Sequence, residues 1–300
     1  MSRCHPSHSK YVSNTDTCFS PKQLETIAKR SGLNVSIGGT SSSSGINLYL
    51  FSAMLHKHFG TSLGQEVEWL QKNPHIPRSF SSAFRPTWSD GEPHHLLDTF
   101  DIWNVLDQYE DNHPHFRFLG VHPLNFQDPE IDDTVVDDSS RPPGDAYMQR
   151  RCISVVPELC NIHANTFSET TGGKTDFGVV VNMDPSWMGG SHWAAMYGCI
   201  DRSKPHRYGL YYYDSLGKEP PAPILQFMKR FVAGTDVPIG WNTIQKQYGD
   251  SECGLYSISF IINCITTTSL FHNLCAYSMT DDDALNCARD FIFRKVKKRK

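Results

Sequence analysis

A thiol, an imidazole and a carboxylate stand in this chain where local sequence would put each at the end of a regular element. Cys253 follows the polar run Gln247-Tyr248-Gly249-Asp250-Ser251-Glu252 and opens an apolar stretch with Leu255, Ile258, Ile261 and Ile262 at helical spacing. That pattern predicts a helix whose first turn carries the sulfur, where unpaired N–H groups and the helix dipole favour thiolate over thiol. Gly254 is expected to leave room for a substrate backbone beside it. His192-Trp193 opens the run Ala194-Ala195-Met196-Tyr197-Gly198-Cys199-Ile200, which reads as a buried strand, and Leu210-Tyr211-Tyr212-Tyr213 reads as another ending at Asp214. A hairpin of the two would bring Asp214 beside His192, completing a nucleophile, base and orienter. Taken singly, a His beside a strand is more often structural and a buried cysteine a small hydrophobe. Only the joint pattern points to catalysis.

The order His192, Asp214, then Gln247 six residues before Cys253-Gly254 resembles the cysteine proteases that process SUMO and other ubiquitin-like proteins, together with the adenovirus protease. Phe177-Gly178-Val179-Val180-Val181-Asn182, Gly190-Ser191-His192-Trp193, Tyr213-Asp214-Ser215 before Pro220-Pro221, Glu252-Cys253-Gly254-Leu255-Tyr256-Ser257 and Phe291-Ile292-Phe293-Arg294 narrow the likeness. They resemble the core-polyprotein proteases of large cytoplasmic DNA viruses, of which the African swine fever virus protease is an example. The likeness runs from about Phe177 to the C-terminus and is weaker before it. The viral relative carries Asn where this chain has Asp214, whereas SUMO-type proteases usually carry Asp, so Asp214 does not separate viral from cellular relatives.

The resemblance implies an α+β fold: a papain-like or SUMO-protease-like catalytic domain with a central mixed sheet flanked by helices. It implies a cysteine endopeptidase in which Cys253 attacks a peptide carbonyl, His192 shuttles the proton and Asp214 fixes the imidazole. Gln247, with the backbone N–H of Cys253, would form the oxyanion hole. Gln245 competes for that role but misses the six-residue offset. Trp193 is expected to pack against the imidazole and wall a narrow substrate channel, with Trp187 second and a plain core role as the alternative. The resemblance also implies cleavage after Gly-Gly in Gly-Gly-Xaa, a preference the viral family and the ubiquitin-like proteases share, and glycine, lacking a Cβ, can lay its backbone flat in such a slot. No cofactor and no metal are implied. The implied substrate is a viral structural polyprotein cut during virion maturation, in the host cytoplasm at the viral factory and in the virion. A ubiquitin-like protein removed by an isopeptidase is the alternative, followed by an inactive scaffold and, more remotely, an acetyltransferase.

The 300 residues suffice for one large domain or two ordinary ones, and 39% hydrophobic with 20% charged residues is a globular composition. No apolar run reaches the roughly 18 residues of a membrane span. The start, Met1-Ser2-Arg3-Cys4-His5-Pro6, lacks the apolar core of a signal peptide, and nine cysteines without dense spacing read as free thiols in a reducing compartment. A net charge of −4 argues against wholesale nucleic-acid binding. Six basic residues between Arg294 and Lys300 could still bind DNA, although basic residues also suit a helix C-terminus. Cys4, His5, His8 and Cys18 miss the close pairs of a zinc site.

Along the chain, Ser20, Pro21 and Gln23 mark a helix start, with Leu24, Ile27 and Ala28 on its apolar face and Gly32 past its end. Gly38 to Gly45 reads as a linker. A helix over about 46–59 stops at Gly60, and a short one carries Val67, Trp69 and Leu70. These predict a helical N-terminal module over 1–80 and a peptidase domain over 81–300. Asp98 to Tyr109 reads as a helix with Phe100, Trp103, Val105 and Leu106 available for burial. A strand is expected within Phe116 to Phe126, a solvated acidic loop over Asp128 to Asp138, a helix over Ala222 to Ala233, a strand over Ile239 to Ile244, and a last helix boxed by Thr280 and Asp283.

Overall fold

The computed structural model describes residues 4–6, 17–35, 48–62, 65–87, 96–127 and 158–266, with 282, 285, 286, 289, 292 and 293. The expected linker, the acidic loop, the Thr280/Asp283 box and the basic tail lie outside the described residues. Two compact units emerge: Met1–Gly91 with Ala288–Lys300, and Glu92–Cys287. The division falls at Gly91, and 288–300 count with the first unit.

In the first unit, α1 (Pro21–Arg30) starts at a complete capping box, with Ser20 and Gln23 exchanging side-chain to backbone bonds. α2 (Leu48–Phe59) and α3 (Val67–Lys72) follow, and Phe51, Leu55 and Trp69 join Leu24, Ile27 and Phe84 in one buried cluster. Cys4 and Cys18 are joined by a disulfide, which corrects the expectation that all thiols are free and removes both from any zinc set.

In the second unit, α4 (Thr99–Leu106) is boxed by Asp98 and Asp101. Its buried face is Ile102, Val105 and Leu106, while Phe100 is 74% exposed, contrary to its expected burial. The sheet runs β1 (Phe116–His122), β2 (Asp176–Asn182), β3 (Trp193–Cys199), β4 (Gly209–Tyr213) and β5 (Ile239–Trp241), in that spatial order. The outer pairs are parallel and the two inner pairs antiparallel, so the sheet is mixed and the fold α+β. β1 slips register between Phe118 and Val121, where Gly120 takes φ +95 and a Cβ would strike Trp103. Only glycine fits that kink.

Alternation along the strands divides two apolar layers. Val179, Val181, Ala194, Met196, Leu210 and Tyr212 face a core completed by α5 (Glu158–Asn161), α6 (Phe167–Thr170) and α7 (Ala222–Phe231). On the opposite face α8 (Cys253–Thr266) packs on β2 and β3, with Ile261 against Gly178 and Phe260 stacked on Tyr213. Full burial of each such side chain stabilises by roughly 1.5–3 kcal/mol. This packing fixes where α8 begins.

Candidate active site

β3 and β4 pair with Ala195 opposite Tyr213, so the residue before β3 and the residue after β4 emerge at the same sheet end. They are His192 and Asp214. Nε2 of His192 donates to Oδ1 of Asp214 at 2.8 Å, and the Leu216 N–H donates to the same oxygen at 2.8 Å. That bonding assigns the Nε2 proton and leaves Nδ1 for the sulfur of Cys253. The Met183 N–H donates to the His192 carbonyl at 2.8 Å, extending the β2–β3 ladder to the catalytic candidate. A Cβ on Gly190 would collide with the Asn182 amide, so the approach to His192 needs a bare backbone there.

Burial works against charge on His192, but the bonds to Asp214 and to Cys253 and the charges on both outweigh it, raising its pKa to about 9. An imidazolium beside a sulfur is the setting in which cysteine acts as a nucleophile. The neighbouring phenols of Tyr212 and Tyr213 are pushed up by burial and by the Asp214 charge, so they remain neutral. Tyr212 thus stays a donor, 3.5 Å from Oδ2 of Asp214.

Cys253 is the first residue of α8 and is buried. Just before it, Glu252 takes bonds from the Ser251 hydroxyl at 2.6 Å, the Ser251 N–H at 3.0 Å and Asn286 at 2.8 Å. Burial opposes its charge, yet these bonds lower its pKa, which keeps an anion at the positive end of the helix. Gly254 sits against Leu97. A Cβ there would lie 3.0 Å from the Leu97 side chain, so its smallness serves packing against Leu97.

Gln247 is also buried, with both ends of its amide engaged. Its Oε1 accepts from the Ser215 hydroxyl at 2.7 Å and its Nε2 donates to the Gly249 carbonyl at 2.7 Å. An amide nitrogen has two hydrogens, so one remains to donate. Gln245 gives its nitrogen to the Gln247 carbonyl at 2.8 Å and is absent from the lining of the cleft that Gln247 enters. The hydrogen bonds from Lys246 N and Gln247 N to the Ser215 carbonyl clip this loop to the one after β4.

His192, Asp214, Gln247 and Cys253 line one cleft of about 440 Å³, with Leu124, Met183, Tyr212 and Leu216 as apolar wall and Lys218, Glu219 and Asp250 as polar wall. Trp193 is absent from that lining. It is 9% exposed, and its indole donates to the Leu97 carbonyl at 2.9 Å. Trp187, also outside the lining, is 73% exposed. Ser215, Asn242 and Glu252 support the site yet drew no individual attention in the sequence, since their bonds carry no local periodic signal.

No protein-family model matches the chain. It is 29% identical to "Putative thiol protease R355" of Acanthamoeba polyphaga mimivirus over 204 residues, 66% of this chain and 56% of that protein. A SUMO-1 cysteine protease of African swine fever virus is 30% identical over 124 residues, 39% of this chain and 44% of that protein. The chain thus spans about half the length of these two curated relatives. A cysteine protease of another isolate of that virus aligns at 22% identity over 293 residues, 95% of this chain and 94% of that protein. The crystal structure of the African swine fever virus pS273R protease superposes with a TM-score of 0.58 at 18% identity, over 98% of this chain and 96% of that one, a likeness of fold. By sequence the chain is therefore a homologue of proteins named as thiol and cysteine proteases of mimivirus and African swine fever virus, and it shares the fold of the pS273R protease.

Proposed function

We propose that this chain is a cysteine peptidase with Cys253 as nucleophile, His192 as proton shuttle, Asp214 as orienter and Gln247 as oxyanion donor. The observation that carries the reading is His192 held between Asp214 and Cys253 with its pKa raised to about 9, in one cleft. The thiolate adds to the peptide carbonyl carbon. The remaining Nε2 hydrogen of Gln247 and the Cys253 N–H, which has no partner inside its own helix, receive the oxyanion. The C–N bond then breaks as His192 gives its proton to the leaving amine. Water, deprotonated by the same imidazole, releases the acid and regenerates the thiol.

The substrate we propose is a Gly-Gly-Xaa bond in a viral structural polyprotein, cut during maturation in the host cytoplasm and the virion. The viral homologues and the burial of Cys253 support it. Residues 1–80 would then serve substrate engagement rather than chemistry, and the basic tail over 294–300 is a candidate DNA contact, tested by salt-dependent binding with and without it. A second reading, removal of a ubiquitin-like modifier, is favoured by the SUMO-1 cysteine protease among the homologues.

Peptides with Gly-Gly-Xaa, Ala-Gly-Xaa and Gly-Ala-Xaa at the scissile bond, assayed against the active protein and Cys253→Ala, test the specificity. Only the first should be cut. Comparable cleavage of all three would remove the Gly-Gly restriction, and no cleavage of any peptide or protein substrate would remove the peptidase. Faster cleavage of a SUMO conjugate than of a viral polyprotein would favour the second reading.

A further inference from the structure

Asp282 lies 34 residues beyond Tyr248 in sequence, yet its Oδ2 accepts the Tyr248 N–H at 2.8 Å and the Gly249 N–H at 2.6 Å. Its Oδ1 accepts from the Tyr256 hydroxyl at 3.1 Å, and that hydroxyl lies 2.9 Å from the Lys246 carbonyl oxygen. One carboxylate therefore ties the turn before Cys253 to the first turns of α8. Two consecutive N–H groups converging on one charged oxygen set the peptide orientation through Tyr248 and Gly249. The next carbonyl along, that of Gly249, is the group that receives Nε2 of Gln247 at 2.7 Å. A Cβ on Gly249 would fall 2.6 Å from Glu252 Oε2 and 3.4 Å from Asp282 Oδ2, so the bare glycine lets both carboxylates close on this turn.

We propose that Asp282 is a positioning residue for the Gln247 side-chain amide, acting through the backbone of Tyr248 and Gly249. The inference rests on the peptidase reading and names what sets the direction of its oxyanion donor. Residues 242–252 are outside any helix or strand, so no ladder of their own holds the Gly249 carbonyl in place. Remove the carboxylate, and two N–H groups turn to water, the Gly249 carbonyl swings, and the Gln247 nitrogen follows it away from the oxyanion position. Ser215 would still hold Oε1, which limits the loss to a misdirected donor rather than a missing one.

The test is steady-state hydrolysis of a peptide whose Gly-Gly is joined to a fluorogenic amine, by the full chain carrying Asp282→Ala, Asp282→Asn, Gln247→Ala and the double replacements. Asp282→Ala should lower kcat about tenfold, and Asp282→Asn about threefold, with KM within about twofold, because a misplaced donor costs less than the hundredfold or more of a deleted one. Neither should lower kcat further once Gln247 is Ala, since the two act as one unit. Alkylation of Cys253 by iodoacetamide forms no oxyanion and should keep its rate. An equal loss in both backgrounds, or alkylation falling in step with kcat, would overturn the assignment. Asp282→Asn answers the same question if Asp282→Ala does not fold. Wild-type protein that turns over neither this peptide nor any other peptide or protein substrate would overturn the peptidase reading and this assignment with it, whereas an active wild type with additive losses overturns the assignment alone.

Discussion

Asn242 holds Asp214 by its backbone from both sides: Oδ1 accepts the Asp214 N–H at 2.9 Å and Nδ2 donates to the Asp214 carbonyl at 2.7 Å. Both residues are buried, so the pairing fixes the peptide that aims the Asp214 carboxylate at His192. Asn242→Ala should destabilise the fold by roughly 1–3 kcal/mol, because it leaves the buried Asp214 N–H unpaired, while the Asp214 carbonyl keeps the Gly217 N–H at 2.8 Å. It should also lower kcat more than KM. Unchanged melting and unchanged kcat would show that the loop holds Asp214 without it.

Cys253→Ala and His192→Ala should each abolish turnover, since nucleophile and shuttle act as one unit. Asp214→Asn should cost far less. Its amide oxygen can still accept from His192 Nε2, and exchanging a charged for a neutral acceptor gives up on the order of 1–1.5 kcal/mol, about tenfold in rate. Total loss in a folded Asp214→Asn protein would show that the charge itself is required.

His192 is raised to about 9 from its ordinary 6.5, so kcat/KM should decline on the alkaline side with a midpoint near 9. Because Asp214 contributes to that rise, Asp214→Asn should move the midpoint down. The sign for stability is the same: the folded imidazole holds its proton more tightly than the unfolded one. The gain is fully present below about pH 6.5 and is lost as pH rises through about 9. Urea unfolding at pH 6 and at pH 9.5 measures it, and His192→Gln should flatten the difference. An equal pH slope in the two proteins would contradict the ion-pair description.

The Cys4–Cys18 link closes a loop of sequence separation 14 in the first unit. By loop entropy it should stabilise that unit by about 3 kcal/mol. Unreduced protein should leave Cys4 and Cys18 unlabelled by a thiol reagent, and Cys4→Ser should lower the melting temperature. Labelling of both under non-reducing conditions would mean that the bridge does not form in solution.

Local order alone accounted for much of this chain. The Ser20/Gln23 box, the apolar run of β3, and the change from polar turn to apolar helix at Cys253 are short-range patterns, set by backbone geometry and readable in one dimension. They suffice to bring His192 next to Asp214, because a hairpin's register follows from which side chains must be buried. What they leave open is decided by contacts between distant segments. Phe100 has the right type for a core but lies off the face that α4 buries, and Trp193 gives its indole to Leu97 instead of lining the cleft. Gly254 is small for Leu97, and Asn242, Ser215 and Asp282 act on loops that no periodicity describes. The sequence determined the elements and the chemical groups at their ends. The tertiary structure alone decided which polar side chains hold those groups in place, since each such bond depends on packing that brings residues 28 to 34 positions apart together.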